Sequence, residues 1–361
     1  MRRAGALVAV AVAVAVVAAA CSGPGTSSTR HNRAPARVTT TTTVPPVYAG
    51  SVPFGVYAGP GNPSGVASFA RRTGTAPSLA SDYLPRAAGW TAMTRLKQLR
   101  FLASWRGRGY RLVLAVPLIP TKDGHAQGTV ATGATGAYDA RFTTLARTLV
   151  AYGLSNAVLR LGWAFNVTGS AWAVSDSSQA ALFAAYFRNV VTTMRAVPGA
   201  HFAFVWNPAP GSTAYDLTLA YPGDAFVDFV GLDLYDQTGS ASRDPQRAWA
   251  ADLDGDNGLD WLASFSAAHH KPATLPEWGD TIGVGGHGLG DDPDFVAHVA
   301  QWAVAHDVAF TSYYAADLPE VAHNLLDGSF PRALAEFHRL FATTTPVPLS
   351  TVAAHRASAA L

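Results

Sequence analysis

Short apolar runs alternate with amphipathic stretches along the central part of the chain. Eight of these runs read as buried strands, and they begin near Phe54, Leu79, Leu112, Ala157, Phe202, Phe226, Ala273 and Val308. Apolar residues in the intervening stretches recur at helical spacing, as they do on a helix with one buried face. The pattern therefore predicts a series of eight strand-helix units.

The stretch after residue 292 illustrates the helical pattern. Phe295, Val299 and Trp302 would share one face of a helix. Asp292 stands where a capping residue is expected, and Pro293 suits a first helical turn. These signals predict a helix that starts at residue 293.

The number of units favours one fold class. Eight βα units over roughly 290 residues match the size of a (β/α)8 TIM barrel. The alternative is a doubly wound open sheet with an extra lobe. No glycine-rich phosphate-binding motif follows the first strand, because Pro60 interrupts Gly59 and Gly61. We therefore expect an α/β barrel, and no cofactor.

The first twenty residues have the pattern of an export signal. Arg2 and Arg3 precede an apolar run over residues 5–20, and three alanines lead directly into Cys21. A cysteine at this point resembles a bacterial lipoprotein signal, in which the thiol receives lipid. Ordinary signal cleavage with an incidental cysteine is the alternative. We expect an exported protein that is lipid-anchored at Cys21 and faces outward, or is secreted.

The remaining boundaries follow from composition. Residues 21–50 are rich in Thr and Pro and predict an extended linker behind the anchor. Residues 51–341 form the predicted barrel, and residues 342–361 predict a loose C-terminal tail.

Bulk composition narrows the class of partner. The chain is 49% hydrophobic and 14% charged, which permits a large core and excludes general disorder. Its net charge of +2 gives no reason to expect nucleic acid. A monomer is expected. Since Cys21 is the one cysteine in this sequence, the chain cannot form an internal disulfide.

Polar and aromatic residues crowd the predicted strand ends, where barrel enzymes place their chemistry. Glu277 and Tyr235 stand at two of these ends. The candidates for substrate binding are Asp82, Arg160, Trp163, Asn166, Trp206, Asn207, Trp278, His287 and Tyr313.

These residues resemble glycoside hydrolase family 26, the β-mannanase-like group of a retaining clan built on (β/α)8 barrels. The resemblance covers roughly residues 53–341. It implies that Glu277, in Pro-Glu-Trp-Gly, is the nucleophile and that Tyr235 hydrogen-bonds it. It also implies that Arg160 is the arginine four residues before the acid/base, and that the substrate is a β-linked polysaccharide.

Two positions depart from the family pattern. Trp163 replaces a histidine that mannanases commonly carry, which weakens the case for mannan. Ala164 stands where the acid/base glutamate is expected. Retaining hydrolysis uses two carboxyl groups, and a methyl group can neither protonate the leaving oxygen nor activate water. Asp176, in the loop after the fourth strand, is the best candidate for a substitute acid.

Other interpretations compete at several residues. Glu277 and Arg160 would also suit a structural ion pair, and the strand-end tryptophans would also suit a core. Residues 252–258 resemble the start of a calcium loop, but the glycine is one position late and Ala263 stands in place of the final glutamate. This segment instead predicts an acidic turn before a helix at Trp261, and no metal site.

Three functions remain at this stage. The first is a surface glycoside hydrolase with an impaired or substituted acid/base. The second is a carbohydrate-binding protein that has lost turnover. The third is a lipoprotein that captures solutes for a transporter, and it would need two lobes and a hinge.

Overall fold

The computed structural model describes residues 51–237, 244–283, 288–318 and 321–349. The predicted signal, the lipid anchor at Cys21 and the linker lie outside the described residues. So do His287 and the end of the predicted tail.

Eight parallel strands close into a barrel in which each strand pairs with its neighbours along the chain and β1 pairs with β8. The strands are β1 (Phe54–Tyr57), β2 (Leu79–Tyr83), β3 (Arg111–Val116), β4 (Val158–Leu161), β5 (Ala203–Trp206), β6 (Phe229–Tyr235), β7 (Ala273–Gly279) and β8 (Thr311–Tyr314). The predicted barrel is confirmed, and the open-sheet alternative is wrong.

Helices surround the barrel. They are α1 (Pro63–Thr73), α2 (Gly89–Thr94), α3 (Val130–Ala134), α4 (Asp139–Ala151), α5 (Ser177–Arg195), α6 (Pro245–Asp254), α7 (Leu259–Ala268), α8 (Pro293–Ala305) and α9 (Pro331–Phe341). Two short 3-10 helices, Leu217–Ala220 and Asp224–Phe226, join β5 to β6 in place of an α-helix. Among the described helices, none has both the length and the apolarity to span a bilayer.

The predicted start of α8 is confirmed. Asp292 caps the helix by accepting hydrogen bonds from the N–H groups of Asp294 and Phe295, and Pro293 occupies the first turn. The predicted acidic turn is shorter than expected, because Asp252 and Asp254 lie in the last turn of α6. Within the described ranges, no three or more acidic, histidine or cysteine side chains are grouped to bind a metal ion.

The end of the barrel opposite the candidate site is closed by apolar side chains. Val113, Val158, Phe229 and Phe310 belong to one buried cluster, and Leu349 packs against it. The segment after α9 therefore contributes to the folded domain up to residue 349, where a loose tail had been expected. The apolar cluster fills the end of the barrel where the strands begin. The polar residues therefore lie at the end where the strands finish.

Candidate active site

Glu277 lies near the carboxyl end of β7, beside a buried arginine from β4. Arg160 is 1% exposed, and its Nη1 is 2.8 Å from Oε2 of Glu277. The Nη2 of Arg160 lies 2.6 Å from Oδ1 of Asp233, which is opposite Glu277 in the β6–β7 register. One guanidinium therefore joins two carboxylates inside the barrel.

An irregularity in β7 positions Glu277 for this contact. Pro276 has no N–H to give to the sheet, and the β6–β7 register shifts between Gly231 and Asp233. Glu277 consequently faces into the barrel, whereas Trp278 packs against Phe337 of α9 in the helical layer.

Asn207, at the end of β5, completes the buried network. Its Oδ1 accepts a hydrogen bond of 2.7 Å from Nε of Arg160, and its Nδ2 donates to Asp233 at 3.2 Å. Burial opposes charge on Arg160, but the two carboxylates raise its pKa above the ordinary range. Burial also raises the pKa of Asp233, against the opposing effect of Arg160. The guanidinium thus remains charged and fixed on three sides.

Two tyrosine hydroxyls bind the carboxylate of Glu277. Tyr235 donates to Oε1 at 2.6 Å, and Tyr83, at the end of β2, donates a short hydrogen bond to Oε2. Burial and then the charge of Glu277 raise the pKa of both tyrosines well above 10.0. Both hydroxyls therefore keep their protons and act as donors. The Glu277 side chain is 13% exposed, which leaves it reachable from solvent.

Aromatic rings surround this carboxylate. Tyr83 lies edge-on to Tyr57 at a centroid distance of 4.8 Å and to Trp163 at 5.5 Å. Tyr57 also contacts Tyr314, with centroids 4.8 Å apart. The three tyrosines are partly exposed. Partly exposed aromatic rings next to a polar group are suited to stack against a sugar ring while hydrogen bonds orient its hydroxyls.

His323, beyond the end of β8, supports the wall behind Tyr235. Its Nδ1 is 2.9 Å from the carbonyl oxygen of Asp280, which can only accept, so Nδ1 carries the proton. The ring lies 4.8 Å from that of Tyr235. Burial lowers the pKa of His323, so the imidazole is favoured in its neutral form.

The backbone after β4 makes a sharp turn at Ala164. Gly162 has φ 56° and Ala164 has φ 48°, and the N–H of Ala164 donates to the carbonyl of Asn207 at 2.8 Å. A left-handed conformation costs a non-glycine residue about 1–2 kcal/mol, so the surroundings hold this turn in place. The side chain that it presents is a methyl group.

Three predicted substrate-binding residues instead belong to the core. Trp206, Trp278 and Tyr313 are each 0% exposed. Trp206 stacks on Phe265 of α7, with ring centroids 5.3 Å apart. Adjacent strand residues point to opposite faces, and these three point toward the helices. The core interpretation of Trp206 and Trp278 is the one that the structure bears out.

Three other predicted residues form structural hydrogen bonds to loops or to a helix start. Asp82 is 1% exposed and accepts from Trp105 Nε1 at 2.7 Å, and burial raises its pKa to about 6. Asn166 exchanges two hydrogen bonds with the backbone of Ala209. Asp176 caps α5, and the hydrogen bonds that it accepts from the hydroxyl of Ser178 and the N–H of Gln179 lower its pKa.

The structure therefore brings together Glu277, Arg160, Tyr235, Asn207 and Trp163 from the predicted set. Five further members of the site are not in the predicted set, although three of them, Tyr83, Asp233 and Tyr314, stand at predicted strand ends. The other two are Tyr57 and His323. The sequence does contain a signal for Tyr83, since it is the last residue of a predicted strand and directly follows Asp82. His323 had none, because it lies far along the loop from β8.

One family model matches part of the sequence. The model of glycosyl hydrolase family 26 matches residues 165–250, from the end of β4 into α6, which is less than half of the chain. No curated protein matches the sequence.

Solved structures resemble the whole barrel. The catalytic domain of a GH26 endo-β-1,4-mannanase from Bacillus sp. JAMB-750 is 15% identical, with a TM-score of 0.59 over 84% of this chain and 88% of that chain. A GH26 β-mannanase from Bacteroides ovatus is 15% identical, with a TM-score of 0.55 over 84% and 91%. A modular endo-β-1,4-mannanase from Cellulomonas fimi is 21% identical, with a TM-score of 0.57 over 84% and 73%. At these identities the likeness establishes the fold.

Proposed function

We propose that this chain is a family 26-like glycosidase domain whose cleft binds a β-linked, mannan-like polysaccharide, with Glu277 as the nucleophile. The observation that carries the proposal is the set of donors on Glu277. Tyr83, Tyr235 and Arg160 bind its two carboxylate oxygens at the carboxyl end of a barrel strand. The family match and the fold likeness to mannanases support it.

The arrangement suits nucleophilic catalysis. Arg160 and the two hydroxyls all donate to the carboxylate of Glu277, and together they fix its orientation. A retaining glycosidase uses such a group to attack the anomeric carbon and form a glycosyl ester. A purely structural ion pair would not need two phenolic donors and a partly exposed carboxylate.

Ala164 bears on how much turnover this site supports. In our proposal it occupies the acid/base position, and general acid catalysis is typically worth about 10²–10⁴-fold. The second candidate function, a carbohydrate-binding protein without turnover, rests on this residue. The solute-capture hypothesis has no comparable support, since the described barrel is one body without a second lobe.

Localisation rests on the N-terminal sequence alone. We propose export, lipid attachment at Cys21 and display of the barrel outside the cell, on the evidence of residues 1–50. Labelled palmitate should be incorporated into the wild-type protein and not into Cys21→Ser. Equal labelling of both would contradict the lipid anchor.

One pair of variants tests the site. The purified protein is given 2,4-dinitrophenyl β-mannobioside, and binding of mannohexaose is measured by calorimetry. We expect Glu277→Gln to lower kcat/KM on the aryl glycoside by at least ~10³-fold. The matched control is Glu336→Gln, a residue on α9 that pairs with Arg339 at the surface.

The outcomes separate the candidates. Oligosaccharide binding without any turnover, lost in Glu277→Gln, would establish the binding protein. Turnover that Glu277→Gln leaves unchanged would overturn the site assignment.

A further inference from the structure

We infer that this cleft selects glycosyl donors whose leaving group departs as a stable anion, such as a carboxylate, a phosphate or a phenolate. The inference rests on the proposed function and names the substrate class of the same site. It comes from an asymmetry. The nucleophile has a complete set of partners, whereas the end of β4 offers no group that can protonate a leaving oxygen.

The nucleophile side is complete. Arg160 lies 2.8 Å from Oε2 of Glu277, and Tyr235 donates to Oε1 at 2.6 Å. Both partners are positioned by further contacts, since Asp233 and Asn207 hold Arg160 and the ring of His323 packs on Tyr235. A site that had decayed after loss of activity would have no reason to keep each of these bonds.

The β4 end offers no acidic proton. Ala164 presents a methyl group on a backbone fixed by its hydrogen bond to Asn207. Asn166 uses both ends of its amide on Ala209. The carboxylate of Asp176 caps α5, where it accepts hydrogen bonds from Ser178 and Gln179.

Asp233 does not fill this role either. Both of its oxygens accept from Nη2 of Arg160, at 2.6 and 2.7 Å, and Oδ1 also accepts from Asn207. It is 7% exposed and lies beside Glu277 on the next strand, on the nucleophile's side of the barrel. A proton on Asp233 would have to replace one of the bonds that hold Arg160.

The first chemical step can proceed without an acid for the right leaving group. An oxygen of Glu277 attacks the anomeric carbon, the bond from that carbon to the leaving oxygen breaks, and the electron pair departs with the oxygen. A sugar alkoxide needs a proton at this moment, whereas a carboxylate, phosphate or phenolate does not. The products are a glycosyl ester on Glu277 and the free anion.

The second step regenerates the carboxylate. Water attacks the anomeric carbon, the bond to Glu277 breaks, and the proton lost by water passes to solvent. Without a base at position 164 this step is slow, so the glycosyl ester accumulates. Azide needs no base and should release the sugar as a glycosyl azide.

A leaving-group series tests the inference. Wild type, Ala164→Glu and Ala164→Gln are assayed on β-mannobiosides and β-cellobiosides of 2,4-dinitrophenol, 4-nitrophenol and phenol, and on mannotetraose and cellotetraose. We expect wild-type kcat/KM to fall by about 10²–10⁴-fold from the most acidic leaving group to the sugar alkoxide. Ala164→Glu should gain about 10²-fold or more on the tetraose, and Ala164→Gln, which matches it in size, should not.

Additional substrates identify which anion the enzyme releases most readily. A 1-O-benzoyl glycoside and a glycosyl phosphate are compared with the aryl series at equal concentration, and sodium azide is added to detect the glycosyl azide. The compound with the highest kcat/KM identifies the leaving group. The inference is overturned if none of the three is cleaved faster than the tetraose.

The contradictory results are distinct. Wild-type cleavage of a tetraose within about tenfold of its dinitrophenyl glycoside would overturn the inference, because the site would then contain an acid, and would leave Glu277 as nucleophile intact. Dinitrophenyl glycoside turnover that persists in Glu277→Gln would overturn the proposed function itself. If Ala164→Glu does not fold, the wild-type series decides alone.

Discussion

At the scale of single residues, Glu277 is defined by its donors. Each carboxylate oxygen accepts from a tyrosine, and Oε2 also faces Arg160. Hydrogen bonds to charged groups contribute about 1.5–3 kcal/mol each, more than neutral ones do. The two hydroxyls therefore hold the nucleophile in one orientation.

This arrangement predicts the effect of removing one hydroxyl. Tyr83→Phe and Tyr235→Phe should each lower kcat/KM on the dinitrophenyl glycoside by about 10- to 100-fold, since each removes one bond to a charged oxygen. Most of the loss should fall on kcat. Steady-state kinetics and a melting curve are measured for each variant.

Tyr215→Phe is the matched control. Its hydroxyl is buried and has no hydrogen-bond partner among the described residues. We expect its kinetics to match those of wild type. Unchanged kinetics in both Tyr83→Phe and Tyr235→Phe would show that the phenols do not support Glu277.

Some of this residue-scale detail was accessible from sequence. Glu277 and Tyr235 stand at strand ends in recognisable local patterns. Asp82 and Tyr83 are also neighbours at a strand end, and sequence reasoning chose Asp82. The choice depends on which of two alternating side chains faces inward, and neighbouring strands set that.

At the scale of elements, helix caps and core packing account for residues that had been expected in the cleft. Asp176 begins α5, where its carboxylate satisfies N–H groups that a helix start leaves unpaired. Trp206 packs on Tyr221 and Phe265 where the chain from β5 to β6 forms only 3-10 helices. A bulky side chain covers the barrel there in place of an α-helix.

The cap predicts a separation between stability and turnover at Asp176. Asp176→Asn should keep both, because asparagine caps helices about as well as aspartate. Asp176→Ala should lower the melting temperature and leave kcat unchanged. Loss of oligosaccharide cleavage in Asp176→Asn, with the melting temperature retained, would instead make Asp176 the substitute acid.

At the scale of the whole molecule, a pair of buried carboxyl groups ties the barrel to the loop before α8. Asp236 and Asp280 share a side-chain hydrogen bond. Asp236 also accepts from the N–H of Leu289, and Asp280 from that of Asp292. Burial, followed by neighbouring carboxylates, raises the pKa of Asp236 to about 7 and of Asp280 to about 9.

The protons on this pair predict a loss of stability as pH rises. The unfolded chain releases both near the ordinary pKa of 3.8, whereas the folded pair loses one at about pH 7 and the other, which the two groups then share, at about pH 9. Their contribution to stability is therefore complete below about pH 4 and is lost as pH rises through the two folded pKa values. Asp252 and Asp292 face the pair and add repulsion once it ionises.

Asp236→Asn tests this link. Its amide would donate permanently to Asp280 and still accept from Leu289. We expect the melting temperature of wild type to fall between about pH 4 and about pH 9, and that of Asp236→Asn to fall less. The control is the exposed Asp260→Asn in α7, which should follow wild type. Parallel curves for wild type and Asp236→Asn would contradict the shared proton.

Local pattern alone determined the number and order of the barrel strands and the start of α8. These features depend on residues close together in sequence, where apolar periodicity and capping signals act. Tertiary structure decided the rest. Barrel register and closure decide which strand-end side chains face inward, how His323 reaches Tyr235, and how Leu349 packs against the apolar cluster at the other end. Both are set by pairing between residues that are distant in sequence.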